Sequence, residues 1–126
     1  MNETKTIMTT NVVTVKSDTP IDRALELLIE KNITGLPVVD DDRTLIGIIS
    51  EKDMLKLLPD LEDESATVAD FMTKKITCFD QDEDLIAICE CLMNNNFRRV
   101  PIVSNGKLVG VISRRDIIKY IIEPIG

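Results

Sequence analysis

Residues 7–58, IMTTNVVTVKSDTPIDRALELLIEKNITGLPVVDDDRTLIGIISEKDMLKLL, lie over residues 71–121, FMTKKITCFDQDEDLIAICECLMNNNFRRVPIVSNGKLVGVISRRDIIKYI. The offset is 64 up to the middle and 63 after one deletion in the second turn. Met8/Met72, Asp18/Asp82, Leu28/Leu92, Asn32/Asn96, Pro37/Pro101, Gly47/Gly110, Ser50/Ser113, Asp53/Asp116 and Lys56/Lys119 are identical pairs. The apolar pattern repeats more fully than the letters. A proline, a glycine and a Ser-x-x-Asp kept in step over such a distance mark an internal duplication, and that decides the architecture.

Each copy reads as strand, helix, strand, strand, helix, which predicts an α/β fold of the α+β type. Each would form a small three-stranded sheet with two helices. Val12 to Val15 and Ile76 to Phe79 are short strand candidates. Thr19 is a candidate cap for the next helix, with Pro20 at the first position, where a missing N–H costs nothing. That helix carries Ile21, Ala24, Leu25, Leu28 and Ile29 at helical spacing, repeated as Leu85, Ile88, Cys89, Leu92 and Met93. A hairpin follows, turning at Asn105-Gly106 in the second copy and at Asp40 to Arg43 in the first. Both last strands, Leu45 to Ile49 and Leu108 to Ile112, are apolar on both faces, which predicts burial. A final helix follows Ser50 or Ser113. The repeats span 7–58 and 68–122, joined by a linker at 59–67 that includes the acidic PDLEDES. A unit of ~50 residues has too little volume to bury its sheet alone. The two copies are therefore expected to pack as one pseudo-symmetric module.

The 126 residues are 44% apolar and 29% charged, ordinary for a globular chain and too apolar for disorder. No apolar run approaches the ~20 residues that span a bilayer, and the N-terminus lacks a signal-peptide layout, so a cytoplasmic location is expected. Three cysteines without a secretion signal argue against a disulfide framework. The absence of histidine removes His-based triads and the usual zinc and iron sites. A net charge of −7 argues against bulk nucleic-acid or anionic-membrane binding. That charge lies entirely in residues 1–64, whereas residues 65–126 are neutral. Within 93–120 the bases are Arg98, Arg99, Lys107, Arg114, Arg115 and Lys119, against Asp116 alone. Such a patch suits a small anion better than a polymer.

Gly47-Ile-Ile-Ser50-Glu-Lys-Asp53 and Gly110-Val-Ile-Ser113-Arg-Arg-Asp116 are one motif twice, each at a strand-to-helix junction. Two readings stay open. In one, glycine lets a ligand approach the backbone, serine and the helix N-terminus offer donors to an anion, and aspartate accepts from a vicinal diol such as a ribose. In the other, Ser-x-x-Asp is the capping box that any helix starting there needs. Arg98-Arg99 is matched in the first copy by Thr34-Gly35, so the fold unit does not demand the arginines. Guanidinium groups suit bidentate contact with phosphate oxygens. Asp80-Gln-Asp82-Glu-Asp84 begins like a calcium loop but has Leu85 where glycine is required. Cys89 and Cys91 read as core-type residues. There is no GxGxxG or P-loop, and no serine or carboxylate comes with an evident base, so no catalysis is expected.

Two strand-helix-strand-strand-helix copies, each with a Pro-Val-Val-Asp-like strand and a Gly-x-x-Ser-x-x-Asp junction, resemble a tandem pair of CBS domains over about residues 7–122. The resemblance implies a regulatory module, without a cofactor, that binds an adenosine ligand such as AMP, ADP, ATP, S-adenosylmethionine or NAD in the cleft between the repeats. It also implies a homodimer, often a flat four-repeat disc, and an unidentified regulated partner. Carried over by position, Asp53 and Asp116 would hold ribose hydroxyls, with Ser50 and Ser113 by the phosphates. One site would combine Ser50, Lys52 and Asp53 with Phe97 to Pro101, bringing in Arg98, Arg99, Val100 and Pro101. The other would combine Ser113, Arg115 and Asp116 with Thr19, Ala24, Ile33, Thr34 and Pro37. Adenine would lie near Val13, Ile33, Val100 and Ile112. Serine stands where threonine is commoner in the family, and Glu83 replaces the counterpart of Thr19, where a carboxylate would repel phosphate. The cations favour a phosphorylated nucleotide (AMP, ADP or ATP) over S-adenosylmethionine. The alternative is a dimerisation or interaction module with vestigial nucleotide sites.

Overall fold

Glycine is kept in the middle of both last strands because the chain's own backbone lies against it. The computed structural model describes residues 3–124. In chain order it forms α1 (Glu3–Ile7), α2 (Ile21–Lys31), the hairpin β1 (Gly35–Val39) and β2 (Leu45–Ser50), and α3 (Glu51–Met54). Two 3₁₀ turns follow, Leu55–Asp60 and Val68–Asp70. Then come β3 (Phe79–Asp80), α4 (Leu85–Asn94), the hairpin β4 (Arg99–Ser104) and β5 (Lys107–Ser113), and α5 (Arg114–Ile122).

Two compact units result: Val13–Ile76, and residues 3–12 together with residues 77–124. Each unit is shifted against the sequence repeat, because its Met-Thr segment is supplied from the start of the other copy. In the first unit Thr73 and Ile48 exchange two backbone hydrogen bonds, at 2.8 and 2.9 Å. In the second, Thr9 and Val111 do the same, at 2.8 and 2.9 Å. A Cβ on Gly47 would stand 2.9 Å from the Met72 sulfur and 3.1 Å from the Thr73 carbonyl. One on Gly110 would stand 2.8 Å from the Met8 sulfur and 2.9 Å from the Thr9 carbonyl. The glycines thus admit a protein segment, not a ligand.

Within Val13–Ile76 the core is built on Ala24, Leu36, Val38, Ile49 and Val68, all fully buried. Its hairpin is a two-stranded antiparallel sheet, and the expected strand at Val12 to Val15 is only a parallel bridge from Val15 to Val38. The amide of Val15 donates to the Pro37 carbonyl and that of Val39 to the Val15 carbonyl. Extending this ladder back towards Val13 would need the amide of residue 37, which proline lacks. Pro101 stands at the same point of the second copy. There Gln81 carries the pairing forward, its amide donating to the Val103 carbonyl at 2.8 Å and its side chain to Ser104 Oγ at 3.0 Å. A three-stranded sheet β3-β4-β5 results, with β3 only two residues long. Its core holds Ile88, Val100, Ile102 and Ile112.

Local chemistry corrects several expected boundaries. Pro20, not Thr19, is the N-cap of α2, and no side chain caps it. The Thr19 hydroxyl instead accepts from the Lys16 amide at 2.9 Å, a local turn that competes with capping. Ile21, Ala24 and Leu28 are buried, but Ile29 is 83% exposed. Likewise Leu85, Ile88 and Leu92 are buried and Met93 is 74% exposed. A residue eight positions on lies about 80° around the helix, outside the narrow stripe these small cores cover. In β2, Ile46 and Ile48 are half-buried, whereas β5 buries Leu108, Gly110, Val111 and Ile112. After Ser50 the helix is only four residues long and tightens into a 3₁₀ turn containing Pro59, which has no amide to donate to an α-helical turn. The 59–67 segment is exposed up to Ser65, while Ala66 enters the first core. The second hairpin turns with φ of 53° at Asn105 and 78° at Gly106, the two left-handed residues of a type I′ turn.

Gly110→Ala forces Met8 or the Thr9 backbone away from β5. It is expected to destabilise the chain by about 1–3 kcal/mol, as overpacking against backbone does. The urea unfolding midpoint measures this, and an unchanged midpoint would show that the Met-Thr segment yields freely.

Candidate functional site

Both Ser-x-x-Asp junctions are capping boxes. At the first, the Asp53 amide donates to Ser50 Oγ at 3.3 Å and the Ser50 amide donates to Asp53 Oδ2 at 3.0 Å. At the second, the Asp116 amide donates to Ser113 Oγ at 3.1 Å and the Ser113 amide donates to Asp116 Oδ2 at 2.8 Å. Each helix start is also tied to the preceding hairpin. The Glu51 amide donates to the Thr34 carbonyl and the Arg114 amide to the Arg98 carbonyl, both at 3.0 Å. Gly35 pairs with Ser50 across the first hairpin, and Arg99 with Ser113 across the second.

These pairings sort the predicted site residues by unit. Thr19, Ala24, Ile33, Thr34, Pro37, Ser50, Lys52 and Asp53 belong to Val13–Ile76, and Arg98, Arg99, Val100, Pro101, Ser113, Arg115 and Asp116 to the other unit. Ala24, Pro37, Val100, Pro101 and Ile112 are buried in the core of their own unit, while Val13 and Ile33 are half-buried. Lys52, Arg98 and Arg115 are exposed, and Arg99 is half-buried.

The two carboxylates differ sharply in how many donors reach them. Asp53 is 7% exposed. Besides the Ser50 amide it accepts from Ser50 Oγ at 3.0 Å and faces Thr73 Oγ1 at 3.3 and 3.4 Å. Lys56 Nζ lies 3.7 Å from its other oxygen. Asp116 accepts from the Ser113 amide alone among the described residues, leaving Oδ1 without a donor. Its side chain lines an open cavity of about 300 Å³ with Thr6, Ile7, Lys119, Tyr120 and Glu123.

Cations gather round this second junction. Arg114 is spent on the Asn95 carbonyl, at 2.9 Å. Arg99 Nε is buried with no hydrogen-bond partner among the described residues, a donor whose desolvation is uncompensated there. Arg98 and Arg115, both exposed, are further fork-shaped donors in the same unit, a geometry suited to oxyanions. Nothing comparable marks a nucleophile. Desolvation pushes the Cys78 thiol pKa up, away from the reactive thiolate. The role of Thr73 escaped the motif search, although the repeat itself pairs Thr9 with Thr73. A third capping box, Thr67 with Asp70, has the same spacing and was also missed.

The CBS domain family matches residues 5–60 and 68–123. The chain is a tandem pair of CBS domains. An uncharacterised protein of Methanocaldococcus jannaschii is 38% identical over 115 residues, covering 91% of this chain and 41% of the relative. The chloroplastic CBS domain-containing protein CBSX2 of Arabidopsis thaliana is 32% identical over 142 residues, covering 90% of this chain and 60% of the relative. This CBS pair thus spans about half the length of these two curated relatives. The crystal structure of CBSX2 in complex with AMP superposes with a TM-score of 0.86 at 34% identity, covering 95% of this chain and 96% of that one. The CBS domain pair of protein MJ0100, in complex with 5′-methylthioadenosine and S-adenosyl-L-methionine, gives a TM-score of 0.78 at 28% identity, covering 94% of each chain. No helix among the described residues of this CBS pair is long and apolar enough to cross a membrane.

Loss of a buried, multiply bonded carboxylate costs more than loss of a half-exposed cap. Asp53→Asn is expected to destabilise the ligand-free CBS pair by about 1–3 kcal/mol, and Asp116→Asn by about 1 kcal/mol or less. Urea unfolding of the two variants compares them directly; equal losses would contradict the difference in bonding.

Proposed function

We propose that this CBS pair is a non-catalytic regulatory module that senses a phosphorylated adenosine nucleotide, AMP before S-adenosylmethionine. The observation that carries this is the buried, unpartnered Nε of Arg99, on the residue paired with Ser113. A phosphate would meet the guanidinium groups of Arg98 and Arg99. The free Oδ1 of Asp116 would accept from a ribose diol. Charge-assisted bonds of this kind are roughly twice as strong as neutral ones. The AMP complex of CBSX2 supports the ligand class. S-adenosylmethionine brings a sulfonium cation in place of phosphate and would face the arginines at a disadvantage. Binding would act on a regulated partner by favouring one state of the module over another, to the extent of its differential affinity for the two.

A homodimer belongs to the same proposal. Met93, Ile118, Ile121 and Ile122 are more than half exposed. The first three line an apolar groove of about 550 Å³ between α4 and α5, a surface that a second copy would cover. This face also supports the second reading, an interaction module in which nucleotide binding is vestigial.

Titration calorimetry with AMP, ADP, ATP and S-adenosylmethionine separates these readings. The phosphorylated nucleotides are expected to bind at least tenfold more tightly than S-adenosylmethionine. Binding of S-adenosylmethionine alone would reverse the ligand assignment, and binding of none would leave the interaction module. Light scattering at micromolar concentration is expected to give twice the 14.1 kDa chain mass; the monomer mass would refute the dimer.

A further inference from the structure

The duplicated helices differ at two linked positions. Where α2 has Leu25 and Ile29, α4 has Cys89 and Met93. The aliphatic pair shows that the fold does not demand sulfur at either place. Four residues apart, Cys89 and Met93 lie one above the other on the same helix face. Cys89 is half-buried and Met93 is 74% exposed, and both line the apolar groove between α4 and α5. The Cys89 thiol donates to the Met93 sulfur at 4.0 Å, which aims a thioether lone pair at the thiol. The other two thiols are placed differently. Cys91 accepts from the Asn95 side-chain amide at 3.7 Å, and desolvation pushes the Cys78 thiol pKa up.

We propose that Cys89 and Met93 form a binding site for Cu(I) in this groove, with the ion in the place of the thiol proton between the two sulfurs. Binding breaks the S–H bond, forms a sulfur–metal bond and releases the proton to water; no electron changes hands. Thiolate and thioether are the ligands that select Cu(I). At the ~2.3 Å of a metal–thiolate bond, sulfurs 4.0 Å apart subtend about 120° at the ion, a bent arrangement with one position open. Charge decides which ion fits. A thiolate and a monovalent cation make a neutral complex, which an apolar groove accepts. A divalent ion would leave a net positive charge beside Arg114, which lines the same groove. A second copy laid over the groove would then close on a neutral group. The site is independent of the nucleotide reading.

Anaerobic titration of the full chain with Cu(I), in competition with bicinchoninate, is the test. The wild type is expected to bind one equivalent per chain. Cys89→Ser should lose it, and Met93→Leu should weaken it at least tenfold while keeping the metal-free melting temperature of the wild type. Cys78→Ser and Cys91→Ser should stay within twofold. Because each ion displaces one proton, affinity should rise about tenfold from pH 6 to pH 7. No binding by the folded wild type would overturn the site, as would an affinity that ignores pH. Wild-type affinity in Met93→Leu would overturn it too, because a thiol alone would then suffice. Loss of the equivalent in Cys78→Ser or Cys91→Ser would show adventitious capture by another thiol and overturn it equally. Should Cys89→Ser fail to fold, Met93→Leu and the pH series carry the test on their own.

Discussion

Two backbone hydrogen bonds, made once between Thr73 and Ile48 and again between Thr9 and Val111, hold each unit together. They lay a short leader across the last strand of the hairpin, and only glycine at Gly47 and Gly110 leaves room for it. The leader comes from the neighbouring copy of the repeat. The duplicated sequence is thereby converted into units that each draw on both copies. The bridge that closes the first unit also delivers the Thr73 hydroxyl to Asp53. Packing and the chemistry of the junction are thus set by the same pair of bonds.

Duplication gives two equal frames, and later substitution has made them unequal. Residues 1–64 carry the whole of the net charge of −7, and the first copy presents small neutral residues, Thr34 and Gly35, beside its junction. The second places Arg98 and Arg99 at the same backbone positions, where the carbonyl before the strand accepts from the first amide of the helix. Because the backbone bonding is alike in both, the arginines are extra to folding. A buried guanidinium donor without a partner costs stability. A ligand that supplies an acceptor would recover it.

The helices show how far periodicity reaches. Ile21, Ala24 and Leu28 face the core as their spacing requires, but Ile29 and Met93 stand in solvent. The apolar stripe read from the sequence is wider than the face that one small sheet can cover. Among the residues left exposed on α4 and α5, Met93, Ile118 and Ile121 line the apolar groove between them. The excess of apolar residues in these helices was visible in the sequence, but which of them were left uncovered was not.

The sequence by itself determined the duplication, the helix and hairpin order, the Asn105-Gly106 turn and the family, and offered a capping box as one of two readings of each Ser-x-x-Asp junction. All of these depend on residues close along the chain or on a repeat that can be aligned by eye. It could not decide the length of the outer strands, because the amide missing from Pro37 matters only once Val15 lies beside it. Nor could it decide the purpose of Gly47 and Gly110, which is set by a leader drawn from the other copy. Least of all could it separate Asp53 from Asp116, identical in motif and spacing. That difference is made by Thr73, twenty residues away in the chain and 3.3 Å away in space. Tertiary structure decided it, because a hydroxyl acts on a carboxylate only within hydrogen-bonding distance.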